Sequence, residues 1–141
     1  MFGMIKNIGQ GSREKRALLA FLEELDANLE TFYVMDQRQF ITQTFSLKAW
    51  EQVKDVALVH KHESVGSCIR AMEEFNALYK EYKSYEQWYA SDLNNKTPDN
   101  ARKLHGMKHE LDKKLKAMES LIIPAGQALE KDMIAQGYIK I

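Results

Sequence analysis

An all-α fold, an antiparallel four-helix bundle with its last helix kinked at Pro124, is what this 141-residue sequence predicts. Three observations carry the expectation. Apolar residues recur at spacings of three and four along most of the chain, the signature of one helical face. Seven Gly and two Pro leave little material for the turns a β-rich fold needs. The apolar stripes also divide into three stretches of similar length and one shorter one, joined by short polar links, as a bundle requires.

The elements follow in chain order. Ser12 is a candidate cap, and after it Leu18, Leu22, Leu25, Leu29 and Phe32 form a stripe over residues 13–39, widened by Phe21 and Tyr33. Thr42-Gln43-Thr44 interrupts the pattern. Ser46 then caps a short segment in which Leu47, Trp50, Val53 and Ala57 keep helical spacing to His60. The third segment is the most regular: Val65, Cys68, Met72, Phe75, Tyr79, Tyr82, Glu86 and Tyr89 repeat as a heptad. Fused to the second segment it would make a helix of about 69 Å, against about 40 Å for the first, so a turn or sharp kink is expected between Lys61 and Gly66. Thr97-Pro98-Asp99 combines a capping hydroxyl, a proline suited to the first helical position and a first-turn acid. The fourth stripe runs through Leu104, Met107, Leu111, Leu115, Met118 and Ile122 and continues past Pro124 to about Gln136, with the kink placed at the residue that has no amide hydrogen. This gives one domain over 13–136, a flexible or packed arm over 1–12 and a tail over 137–141 that is expected to fray.

Composition narrows the function classes. With 28% charged and 45% hydrophobic residues the chain is globular in type rather than disordered. Twenty Lys and Arg offset twenty Asp and Glu, and no third of the chain departs from neutrality by more than two charges, so the basic excess typical of non-specific nucleic-acid binding is missing. No apolar run approaches the ~20 residues of a membrane-spanning helix. Cys68, the single cysteine, cannot pair within the chain, which fits a reducing, cytoplasmic setting. No Gly-x-Ser-x-Gly elbow or phosphate-cradling glycine loop occurs.

Three constellations remain. The first is aromatic: Tyr79, Tyr82, Tyr85, Trp88 and Tyr89 crowd eleven residues beside Lys80 and Lys83, with Glu86 at a heptad core position. A wide, tyrosine-packed bundle end accounts for most of this. Aromatics near cations also suit a small ligand or a partner surface, and an acid on a core stripe would have a raised pKa unless it finds a partner or solvent. The second is histidine-rich. His60, His62 and Glu63 cluster as metal candidates only if the chain turns between them, and none of the usual zinc spacings is present. His105 and His109 share a face with Asp112, but at about 100° per residue they point roughly 100° and 140° away from the core direction, whereas bundle metal sites project inward. The third is Arg102 and His109, whose spacing looks like the loose R-x4-6-H signature of HEPN-type ribonucleases. Those proteins are small helical bundles that usually act as dimers, and the resemblance implies a metal-independent RNA-cleaving site built from this arginine and histidine. Lys103 stands where that family favours Asn, Asp or His. The expectation is therefore a non-enzymatic, soluble, cytoplasmic bundle without cofactor that acts through protein contacts, as a self-associating or adaptor module. A ribonuclease using Arg102 and His109, or a ligand or metal binder at the tyrosine-rich end, is the alternative.

Overall fold

In the computed structural model the backbone of residues 2–140 and the side chains of residues 13–140 are described; side-chain contacts of the 1–12 arm, including any with a membrane, lie outside them. Among the described residues there is no strand. Five helices follow one another: α1 (Phe2–Arg38), α2 (Lys48–Val53), α3 (Glu63–Ser91), α4 (Pro98–Lys116) and α5 (Met118–Ala135), with 3-10 turns at Ala57–His60 and Leu93–Asn95.

The helices assemble on stripes close to the expected ones, with one phase correction. On α1 the buried positions are Leu18, Phe21, Leu25, Asn28, Phe32 and Met35, whereas Leu22 and Leu29 only flank the core. Opposite them α3 buries Val65, Cys68, Ile69, Met72 and Phe75. The third contribution is continuous across two helices: Leu111 and Leu115 from α4, then Met118, Ile122, Ala125, Leu129 and Met133 from α5. The chief contacts join α3 to α5 and α4, and α1 to α5 and α2.

Several expected boundaries move. Helix α1 runs through Ser12 from Phe2, so Ser12 does not cap it. The second segment does not stay helical to His60; it ends at Val53 and re-enters as the 3-10 turn Ala57–His60, and the chain breaks at Lys61 and His62 before α3. The residues 47–60 and 65–91 thus belong to separate helical pieces. The last long helix bends at Ala117, not at Pro124, which sits inside α5. Ser120 donates its hydroxyl to the Ala117 carbonyl (2.8 Å), a back-bond of the kind that bends helices. The missing amide of Pro124 then leaves the Ser120 carbonyl without its helical donor one turn later. The buried stripe passes the bend in step, with Leu115 and Met118 both enclosed.

Both ends of the described core are closed by the same backbone device. At the end of α1, Gln39 adopts a left-handed conformation (φ 53°), and the Gln39 and Phe40 amides return to the Asp36 and Met35 carbonyls at 3.2 and 3.1 Å. At the end of α5, Gly137 (φ 76°) does the same, with its amide on Ile134 and that of Tyr138 on Met133. Tyr138 and Ile139 then pack against the core, so the tail is tied in where fraying was expected.

The link between α1 and α2 is held by side chains that stripe counting overlooks. Asn28, 3% exposed, accepts the Ser46 amide and donates to the Ser46 carbonyl, both at 2.9 Å. Asn76 treats Phe45 the same way, at 2.8 and 2.9 Å. Two carboxamides from α1 and α3 thereby replace a strand partner for one extended dipeptide, and Phe45 turns its ring onto Phe75 with centroids 5.0 Å apart. Ser46 does not cap α2. The Glu24 carboxylate on α1 receives the Ser46 hydroxyl (2.8 Å) and the Ala49 amide (3.0 Å), satisfying the start of that short helix from outside.

Candidate functional site

The register of the helices carries Tyr85, Trp88 and Tyr89 past the end of α1, while Tyr79 and Tyr82 still pack against the core. Asn28 of α1 reaches Met72 of α3 (Nδ2 to Sδ, 3.7 Å), while Glu14 and Leu18 share a cleft with Leu58 and Lys61 just before α3 begins. The two helices therefore run alongside one another. Past these marks α1 ends at Arg38, but α3 continues to Ser91, outrunning it by about nine residues or about 13 Å. Helix α4 folds back along the overhang: Lys114 pairs with Glu74 (3.4 Å), and Lys103 and Asn100 meet Tyr85. No residue of α3 beyond Phe75 is fully buried, and none of α4 before Leu111. The end of α3, the turn and the start of α4 form a two-helix hairpin standing off the core.

Its tip is well ordered by polar bonds. The Asp92 carboxylate accepts the Asn94 amide (2.9 Å), the Asn95 amide group and the Ser91 hydroxyl both donate to the Trp88 carbonyl, and Asn100 donates to the Asn95 carbonyl (2.8 Å). Thr97 caps α4 by accepting the Asn100 amide at 3.2 Å. Leu93, held in this turn, is 82% exposed.

The expected aromatic residues divide into two groups. On the core-ward side Tyr79 stacks on Phe75 (6.4 Å, 7° between ring planes), and Tyr82 donates its hydroxyl to Glu86 (2.9 Å). Glu86 also pairs with Lys83 at 3.2 Å. Burial acts to raise the Glu86 carboxyl, but the hydrogen bonds from Tyr82 and Lys83 and the charges of Lys83 and Lys108 outweigh it, so it lies below its ordinary value. The raised pKa expected of an unpartnered acid does not arise, because the partners are present. Tyr82 is pushed up to about 12, by burial first and then by the hydrogen bond and charge of Glu86. On the outer side Tyr85 leans on Trp88 (5.4 Å) and lies under the Lys103 ammonium, 4.7 Å from its ring centre. Trp88 is 45% exposed. Tyr89 is half-buried between the two groups.

The histidine candidates do not converge. His60 edges against Trp50 and bonds the Lys54 carbonyl, while His62 pairs with Asp132 of α5 at 2.6 Å, fastening the start of α3 to the end of the last helix. Glu63 forms no hydrogen bond or ion pair with either. No group of three or more His, Cys, Asp or Glu suited to a metal ion occurs among the described residues. Cys68 is enclosed on the α3 stripe and burial pushes its thiol up to about 12, so it is unreactive in the folded state. Arg102 pairs with Asp99 one turn away; Arg102, His105 and His109 are all exposed on α4. No helix of the described residues is long and apolar enough to cross a membrane.

Stripe counting located the tyrosines but missed the exposure of Leu93 and the clamps of Asn28 and Asn76. The signal for Asn28 is its place three residues after Leu25 and four before Phe32, a core position filled by an amide. No protein-family model matches the sequence, and no curated protein or solved structure matches it.

Proposed function

We propose that the protein is a cytoplasmic, non-enzymatic, antiparallel helical bundle that works through protein contacts, and that the hairpin of α3 and α4 is its contact surface. One observation carries the reading: full burial stops at Phe75 and resumes at Leu111, leaving an aromatic-rich projection, tied at its tip by hydrogen bonds, with an exposed Trp88 and Leu93. Large apolar side chains held in an ordered turn lose little entropy on docking, and aromatic anchors dominate interface energetics. The test is a pull-down with the intact protein as bait beside a Trp88→Asp/Leu93→Asp variant of unchanged helical circular dichroism. A partner held by the first and lost by the second is expected; identical retention by both baits rejects the surface.

A ribonuclease reading is favoured by one observation, that Arg102 and His109 stand two turns apart on one exposed face of α4. The pairing of Arg102 with Asp99 counts against it. Incubation with mixed RNA decides: cleavage abolished by Arg102→Ala would replace the contact reading, and intact RNA at micromolar protein ends the ribonuclease one.

A further inference from the structure

We propose that the first turns of α1 form an interfacial helix that lies along an anionic membrane surface, with its apolar positions at the acyl boundary and its cations among the headgroups. The helix runs unbroken from Phe2 into the core, and its first enclosed residue among those described is Leu18. At that level the neighbouring elements turn: Glu14 and Leu18 share a cleft with Leu58, Lys61 and Tyr138, α3 starts only at Glu63, and α5 ends at Ala135. Continued along its axis, α1 carries Phe2 about 18 Å beyond Glu14. The apolar register changes over this stretch. At about 100° per residue Met4, Ile5 and Ile8 occupy one face, set about 120° around the helix from the face that Leu18, Phe21, Leu25 and Phe32 give to the core. Lys6, Asn7 and Gln10 take the side opposite Met4, Ile5 and Ile8. The arm is thus amphipathic in its own right and does not prolong the core stripe.

Charge selects the occupant. Over residues 2–16 Lys6, Arg13, Lys15 and Arg16 stand against a single acid, Glu14, whereas residues 17–141 hold 16 cations and 19 acids. The neutrality of the whole chain therefore conceals a segment of net charge +3 joined to a remainder of −3. Arg13, Lys15 and Arg16 are exposed. Lys15 and Arg16 fall at register positions on either side of the face that carries Ile8, about two turns further along, so one side of the helix is apolar and then cationic. An apolar protein groove would use only the first part and a nucleic acid only the second; an anionic bilayer uses both. The denser cation run from Arg102 to Lys116 lacks this combination, because Leu111 and Leu115 on the same helix are enclosed in the core. A few apolar side chains alone give weak, reversible attachment, and neighbouring cations supply the second signal that strengthens it. Gly3, Gly9 and Gly11 lower the intrinsic helix propensity of the arm, so its helix gains most from a surface that holds one face.

The test is co-sedimentation of the intact chain with vesicles of phosphatidylcholine and phosphatidylserine, beside vesicles of phosphatidylcholine alone, at about 0.1 M salt. Binding to the anionic vesicles and little to the neutral ones is expected. Ile5→Asp/Ile8→Asp should abolish it, and Lys15→Glu/Arg16→Glu should weaken it at least about tenfold, each with unchanged thermal unfolding of the core. Lys113→Glu/Lys116→Glu, an equal charge reversal on α4, should leave binding as it was. Failure to sediment with either vesicle overturns the membrane surface, and retention on RNA in that case assigns the cations to nucleic acid instead. Equal binding to both vesicles overturns the role of the cations. Binding that survives Ile5→Asp/Ile8→Asp, or that falls as far with the α4 pair as with Lys15→Glu/Arg16→Glu, overturns the assignment to α1. The hairpin surface is untouched by any of these outcomes, since its own test is the pull-down above.

Discussion

Asn28 and Asn76 each spend both halves of a carboxamide on the backbone of one residue, Ser46 and Phe45 respectively, and with the Phe45 ring contact and the Glu24 bonds this holds the link between α1 and α2 in place. Removing either side chain strips two hydrogen bonds from backbone groups that water reaches poorly, an effect of about 2–3 kcal/mol. Asn28→Ala and Asn76→Ala should each lower stability to urea by that amount, and the double variant by less than the sum, because both amides hold the same dipeptide. Asn28→Leu should also destabilise, although it extends an apolar stripe; a neutral result would show that the amide is dispensable. At the hairpin, the raised value of Tyr82 has a definite sign. Its folded form holds the proton more tightly than the unfolded chain, so the associated stability is complete below pH about 10 and is lost as pH rises through about 12. Alkaline absorbance titration of the six tyrosines should therefore show a late step from Tyr82, beyond the smaller rise at Tyr33, which burial and Glu119 also push up. Tyr82→Phe should remove that late step, and its persistence in the variant would contradict the assignment. Glu86 runs the opposite way: its contribution is present above its unfolded value and fades as pH falls through the lowered one.

Helix by helix, legibility depended on whether the signal was local. Thr97-Pro98-Asp99 announced α4 because cap, ring and acid act on the turn that contains them, and Thr97 does accept the Asn100 amide. The bend at Ala117 could not be read in the same way, since alanine is the best helix former. The cause there is a serine three residues on, aided by the missing amide of Pro124. The αL position of Gln39 was hidden for a similar reason, as glutamine carries no turn preference and the helix end is imposed by the clamped link that follows. The tyrosine-rich end was legible as composition. What set its exposure was the relative length of α1 and α3, a difference no stripe on α3 itself records. One element of the hairpin offers a direct probe of local propensity. A methyl group added at Gly106, in the middle of α4, would meet nothing within 4 Å. Gly106→Ala should stabilise the protein by about 0.5–1 kcal/mol through the reduced freedom of the unfolded chain. A loss in thermal or urea stability would mean that a neighbour approaches that face in solution, as a docked partner could.

For the whole molecule the uneven distribution of burial has a dynamic consequence. The enclosed side chains of α1, α3, α4 and α5 form one cluster that reaches from Leu18 and Val65 to Phe75 and Leu111, and His62 with Asp132 fastens its far end. Beyond Phe75 and before Leu111 the hairpin keeps its own hydrogen bonds but adds no fully buried residue. Segments with few enclosed apolar contacts open at lower free energy than the core, in cooperative units. Native-state hydrogen exchange should therefore find the amides of residues 79–107 exchanging through a sub-global opening, while those of 65–75 and 111–133 exchange only on global unfolding. The two groups should differ by well over about tenfold in protection, since 1.4 kcal/mol of opening free energy corresponds to one factor of ten. Equal protection in dilute, monomeric protein would mean that the hairpin is an integral part of the core. Protection that rises with protein concentration, and only in residues 79–107, would instead report the hairpin being covered by another molecule.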